Sequence, residues 1–179
     1  GYVPQNIFLT HGTIAENIAF GRPAAAIDME AVEQAAKVAQ IHDFVMNEME
    51  QGYQTQVGDR GVRLSGGQRQ ALTMLMATLV RPEVLLLDEH IAALDPKTAG
   101  QILSLTREIV AEQNLTTLMI THNMKHAIDF GNRLIMLHQG RIILDVSGEE
   151  KQSLSVNDLL QQFYKVQGEE LANDSMLLT

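Results

Sequence analysis

Between Leu64 and Asp95 a helical pattern runs directly into a short, unbroken apolar strand, and no other stretch restricts the fold as much. Ser65-Gly66-Gly67-Gln68 puts a cap-forming hydroxyl and two unhindered backbone amides at a helix start, where an anion such as phosphate is held. Leu72, Leu75, Met76 and Leu79 then recur at helical spacing from Gly67 to Val80, and Pro82 ends the run. Val84 to Leu87 is continuously apolar, as in a strand buried on both faces of a parallel sheet. It ends in two carboxylates, Asp88 and Glu89. Ligands of open parallel α/β sheets collect at that end of the strands, so the pair is placed for Mg²⁺ and for water activation. Phosphate plus metal suggests a nucleotide.

The flanking sequence predicts an α/β class. Asp95-Pro96 supplies an N-cap and a proline at the first helical position, and the helix that follows carries Ile102, Leu105, Ile109 and Val110 on one face. The β-branched run Thr116 to Ile120 then completes a strand–helix–strand unit. Upstream, Tyr2-Val3 reads as the tail of a strand that Pro4 stops. Thr13 to Phe20, Asp28 to Gln40 and Phe44 to Gly52 read as helices, and Thr55 to Gly61 as a loop. Downstream, Met124 to Phe130 reads as a short helix, and Leu134–Leu137 with Ile142–Val146 as a hairpin about Gln139-Gly140. Ser155 and Asp158 cap a last helix, and the acidic tail after Gly168 is expected to be loose. The expected organisation is one partial domain over 1–179: a helical subdomain at about 10–82, part of an α/β core at about 83–147, and a C-terminal helix and tail at about 148–179.

A formal net charge of -9 argues against a nucleic-acid partner, because phosphate backbones require basic stripes. With no cysteine, disulfides and thiolate chemistry are excluded. No apolar run approaches the roughly 18 residues of a spanning helix, so a membrane function would need another subunit to carry the span. His122 and His126 stand four apart, but the glutamate of the zinc-protease helix is missing between them.

Leu64-Ser-Gly-Gly-Gln68, Leu87-Asp-Glu89, Ala93-Leu-Asp95 and Thr121-His122, in this order, resemble the nucleotide-binding domain of an ABC transporter over nearly the whole chain. The resemblance implies a P-loop NTPase-like ABC ATPase that binds ATP and Mg²⁺ and lies in the cytoplasm on the inner face of the cell membrane. Implied partners are transmembrane permease subunits and a second ABC ATPase domain. By position, Gln5 resembles the Q-loop glutamine that senses Mg²⁺, Asp88 the Walker B metal carboxylate and Glu89 the general base. Ser65, Gly66, Gly67 and Gln68 resemble the signature motif that serves the opposite subunit's nucleotide. Asp95 resembles the D-loop aspartate of the dimer interface, and His122 the switch histidine at the γ-phosphate.

The chain departs from the family in two ways. The Walker A pattern Gly-x-x-x-x-Gly-Lys-[Ser/Thr] occurs nowhere in it, nor do the strand and helix around that loop. The implied sheet therefore has a central gap between Thr116–Ile120 and Leu134–Leu137, or closes over it abnormally, exposing apolar surface, and the chain is expected to be a fragment beginning just before the Q-loop. Secondly, Thr13–Gly21 and Val57–Gly61 resemble exporter-type domains, whereas Ala71–Val80, Asp88-Glu-His90 and the tail resemble ATPases of amino-acid-type importers. Ile91 stands where the family commonly has threonine. Three readings stay open: an ATPase fragment, an inactive module supplying the signature in trans, and a hybrid without activity of its own.

Overall fold

The computed structural model describes residues 1–5, 7–39, 41–58 and 64–177. Gln40, the expected end of the second helix, and Asp59 to Gly61 of the exporter-like segment lie outside them. The chain divides into two compact units, Gly1–Ile120 and Thr121–Thr179.

In the first unit, strands β1 (Tyr2–Val3), β2 (Val84–Asp88) and β3 (Thr116–Ile120) form a parallel sheet in that order. Tyr2 pairs with Leu86, Val3 with Leu87, and Asp88 with Ile120. The α/β class follows from this sheet and the helices around it. The expectation of a strand buried on both faces is corrected: Leu85 and Leu87 are buried, while Val84 and Leu86 on the other face are 45% and 40% exposed. Leu118 and Ile120 of β3 are likewise exposed, and β3 pairs with β2 alone among the described residues. An apolar run is compatible with burial on both faces; whether both are covered depends on other elements.

Before β2 the chain forms α1 (Ile14–Ile18), α2 (Met29–Val38), α3 (His42–Glu48) and α4 (Gly66–Thr78). A capping box starts α1, where Thr13 Oγ1 accepts from the Glu16 amide and Glu16 Oε2 accepts from the Thr13 amide. Asn17, fully buried in α1, holds the preceding loop. Its Oδ1 accepts the Thr10 amide at 2.8 Å, and its Nδ2 donates to the carbonyls of Thr10, Gly12 and Thr13. Asp28 caps α2 by accepting from Glu30 and Ala31. Tyr53, in a 3₁₀ turn after α3, is buried with its hydroxyl 2.8 Å from His42 Nδ1. Helix α4 is buried on more than its apolar stripe: Gln70, Thr73 and Thr78 are also inside. The two threonine hydroxyls donate to the carbonyls of Arg69 and Met74, which spares them a desolvation cost. Helix α5 (Pro96–Glu112) packs with α4 and buries Ile102, Leu105 and Ile109, three of the four positions expected for its face.

The second unit contains α6 (Met124–Asp129), strands β4 (Arg133–His138) and β5 (Arg141–Ser147), α7 (Gly148–Ser153) and α8 (Val156–Leu177). Gln139 (φ 47) and Gly140 (φ 75) turn the antiparallel hairpin, both in the left-handed region that the tightest hairpin turns require. Leu134, Val146 and Leu159 form its core, with Met124, Ile128, Met136 and Leu144 packed against them. Lys151 is buried on α7, a helix the sequence reading lacks, and its Nζ donates to the Ile128 carbonyl. Ser155 and Asp158 form the expected box at the start of α8. Helix α8 continues through Gly168 to Leu177. Glu169, Glu170, Leu171 and Ala172 are strong helix formers, and one interior glycine costs only about 1 kcal/mol against alanine.

Candidate functional site

The carboxylate pair sits where β2 ends. Asp88 is the last residue of the strand, and Glu89 leaves it with φ 46, a left-handed conformation that costs a side-chain-bearing residue about 1–3 kcal/mol. The turn is closed by the Glu89 amide donating to the Ile120 carbonyl at 3.0 Å and the Ala92 amide donating to the Glu89 carbonyl. Each carboxylate is then met by one side chain from the start of the chain. Gln5 Nε2 donates to Glu89 Oε2 at 3.3 Å, and the Tyr2 hydroxyl donates to Asp88 Oδ2 at 3.1 Å. The hydrogen bond to Asp88, aided by partial desolvation and by the carboxylate's charge, raises the Tyr2 phenol above its ordinary value.

Tyr2 escaped the sequence reading. The signal was faint: only the parallel pairing of a two-residue strand brings Tyr2 beside the end of β2.

The structure brings the signature residues together with Asp95 in a second group. Ser65 caps α4, its Oγ accepting the Gln68 amide while Gln68 Oε1 accepts the Ser65 amide at 2.7 Å. Asp95 caps α5 by accepting from Lys97 and Thr98 at 3.1 Å. Hydrogen bonds from Thr98, side chain first and then backbone, hold the Asp95 carboxyl below its ordinary value. The two helix starts meet at the glycines. A Cβ on Gly66 would lie 3.2 Å from Leu94 Cδ2, and one on Gly67 would lie 2.4 Å from Thr98 Cγ2. The glycine pair therefore has a packing reason within the chain itself, separate from any anion, and Thr98 is the neighbour that motif reading missed.

His122 belongs to the second unit, exposed just before α6, where Thr121 Oγ1 accepts the Asn123 amide and Asn123 caps the helix. Ile91, beside the carboxylates in sequence, is buried. Among the described residues no three His, Cys, Asp or Glu side chains form a metal cluster. Asp88 and Glu89, adjacent at the end of β2, offer hard carboxylate oxygens of the sort Mg²⁺ takes, while Gln5 turns its amide nitrogen to Glu89. That ion characteristically uses one or two carboxylates and completes its shell with water and phosphate.

Comparison with known proteins decides the family. A family model described as ABC transporter matches residues 1–92, more than half of the chain. The chain belongs to the ABC transporter family. It is 58% identical over 100 residues, 56% of its length, to a tyrosine transport ATP-binding protein of Clostridioides difficile (strain R20291), covering 40% of that protein. Over 167 residues, 93% of its length, it is 38% identical to the uncharacterized ABC transporter ATP-binding protein YfiB of Bacillus subtilis (strain 168), covering 27% of it. A solved structure, that of a bacterial Atm1-family ABC exporter with ATP bound, superimposes with TM-score 0.68 at 39% identity. That match covers 82% of this chain and 25% of the exporter chain. The chain thus spans between about a quarter and two fifths of these relatives, and it shares the α/β fold of the ABC ATP-binding domain. No helix among the described residues is long and apolar enough to cross a membrane.

Proposed function

We propose that this chain is part of the ATP-binding subunit of an ABC transporter, whose intact form couples Mg²⁺-dependent ATP hydrolysis to substrate movement through permease subunits. The supporting observation is the carboxylate pair at the end of a parallel strand, each member held by a side chain of residues 2–5. In this reading Asp88 and Gln5 hold Mg²⁺, which when bound neutralises the phosphate charge. Glu89 orients the attacking water and accepts its proton, and His122 meets the terminal phosphate. Ser65 to Gln68 face a nucleotide held by a second ATPase domain with the Gly66 and Gly67 amides, those of Ser65 and Gln68 being used in the capping box, and Asp95 lies at the interface with it. The subunit works in the cytoplasm, on the inner face of the membrane. Residues about 10–82, about 83–147 and about 148–179 act as helical subdomain, core part and C-terminal extension.

The 179 residues contain no Gly-x-x-x-x-Gly-Lys-[Ser/Thr], so the backbone cradle and lysine for the phosphates are missing from them. By themselves they are expected to hydrolyse Mg-ATP no faster than background. Turnover by the purified chain that Glu89→Gln abolishes would overturn this. In a second reading the chain lends its signature, Ser65 to Gln68, to a partner that carries its own phosphate loop. Association at micromolar concentration, with partner activity lost on Ser65→Arg, would support it.

A further inference from the structure

None of the roles assigned above uses Tyr2. We propose that Tyr2 is a positioning residue for the cation site, its hydroxyl tethering one oxygen of Asp88 so that the other is presented to a divalent ion. The proposal rests on the reading of Asp88 as the metal carboxylate. Geometry carries it. Laterally paired residues of a parallel ladder share a face, as do residues two apart on one strand. Tyr2 pairs with Leu86, so it lies on the Asp88 face of β2, with its hydroxyl 3.1 Å from Oδ2.

Among the described residues no packing partner buries this tyrosine. It is 55% exposed, whereas Val3 beside it is fully buried and anchors the segment to the sheet. Three residues on, Gln5 makes the equivalent contact to Glu89, so the segment Tyr2-Val3-Pro4-Gln5 orients both carboxylates at once. Proline fixes one backbone angle between the two donors, and a phenol brings a rigid donor with only two side-chain torsions. An aspartate left to rotate must lose that freedom when a cation binds; one already tethered does not.

Mn²⁺, standing in for Mg²⁺, tests this on the full 179-residue chain. Paramagnetic broadening of the backbone amide signals from Leu87 to Ala92 reads occupancy at this site apart from other surface carboxylates. Four proteins are compared: unmodified, Tyr2→Phe, Asp88→Asn and the double variant. Tyr2→Phe removes one oxygen from an exposed ring, so the fold is retained, and the amide spectrum itself verifies it. The Mn²⁺ concentration for half-broadening is expected to rise about tenfold in Tyr2→Phe, as for loss of an outer-shell partner. Asp88→Asn should weaken binding at least as much, and Tyr2→Phe should add nothing in that background. If Asp88→Asn weakens binding while Tyr2→Phe leaves it unchanged, or weakens it equally in both backgrounds, the role of Tyr2 is overturned and that of Asp88 survives. If Asp88→Asn has no effect, the metal reading of Asp88 falls and the Tyr2 proposal with it.

Discussion

Asn17→Ala removes a side chain that makes five hydrogen bonds, all to residues 10–13. Their loss is not uniform. The Gly12 carbonyl still accepts the Val57 amide at 3.1 Å, and the Thr13 carbonyl still accepts the Asn17 amide at 3.0 Å. The Thr10 amide and carbonyl lose the partners that Asn17 gave them. A buried polar group deprived of its partner costs about 1–3 kcal/mol, so two cost about 2–6. Thr10 is only half-buried, so water recovers part of this, and alanine returns about 0.6 kcal/mol of helix propensity. A net loss of about 2–3 kcal/mol is expected, read as a lower urea midpoint at unchanged slope by far-UV circular dichroism. A loss below about 0.5 kcal/mol, within the range of ordinary surface substitutions, would refute the view that Asn17 pins this loop.

Gly67→Ala should cost about 1–2 kcal/mol, the overpacking against Thr98 less the gain in propensity, and Thr98→Ser in the same background should recover most of it by deleting the clashing methyl. Urea denaturation of the four proteins gives the coupling, and additive losses would count against the close approach. Burial, with the charge of Glu33 adding to it, pushes the Tyr53 phenol up to about 12 from 10.0. The folded chain therefore keeps a proton that the unfolded chain releases, so this contribution is constant below pH 10.0 and falls as pH rises from there towards about 12. Tyr53→Phe should flatten the decline of stability across that window, and urea midpoints measured through it would detect a failure to do so.

Much of the site was legible because its devices are local. A serine before two glycines and a glutamine is a cap wherever it occurs, and Ser65 and Gln68 form the reciprocal box that their spacing implies. Asp95-Pro96 likewise starts α5, with the Asp95 Oδ1 accepting from the Lys97 and Thr98 amides. Tyr2, Asn17 and Thr98 were not legible in this way. Tyr2 meets Asp88 across 86 residues of sequence, and Gly67 meets Thr98 across helices, so no short pattern contains either pair. Asn17 reads as an ordinary polar residue of an amphipathic helix until the loop before it folds over its amide.

The sequence by itself determined where α4, α5 and α8 start, because capping acts within a few residues. It also determined that a carboxylate pair ends the strand at Asp88, since that needs only the order of residues. Tertiary structure decided which face of β2 is covered, leaving Leu85 and Leu87 inside and Val84 and Leu86 exposed. It also decided which donors reach Asp88 and Glu89. Burial and long-range hydrogen bonds depend on what the rest of the chain brings alongside, and sheet pairing, not residue type, sets that.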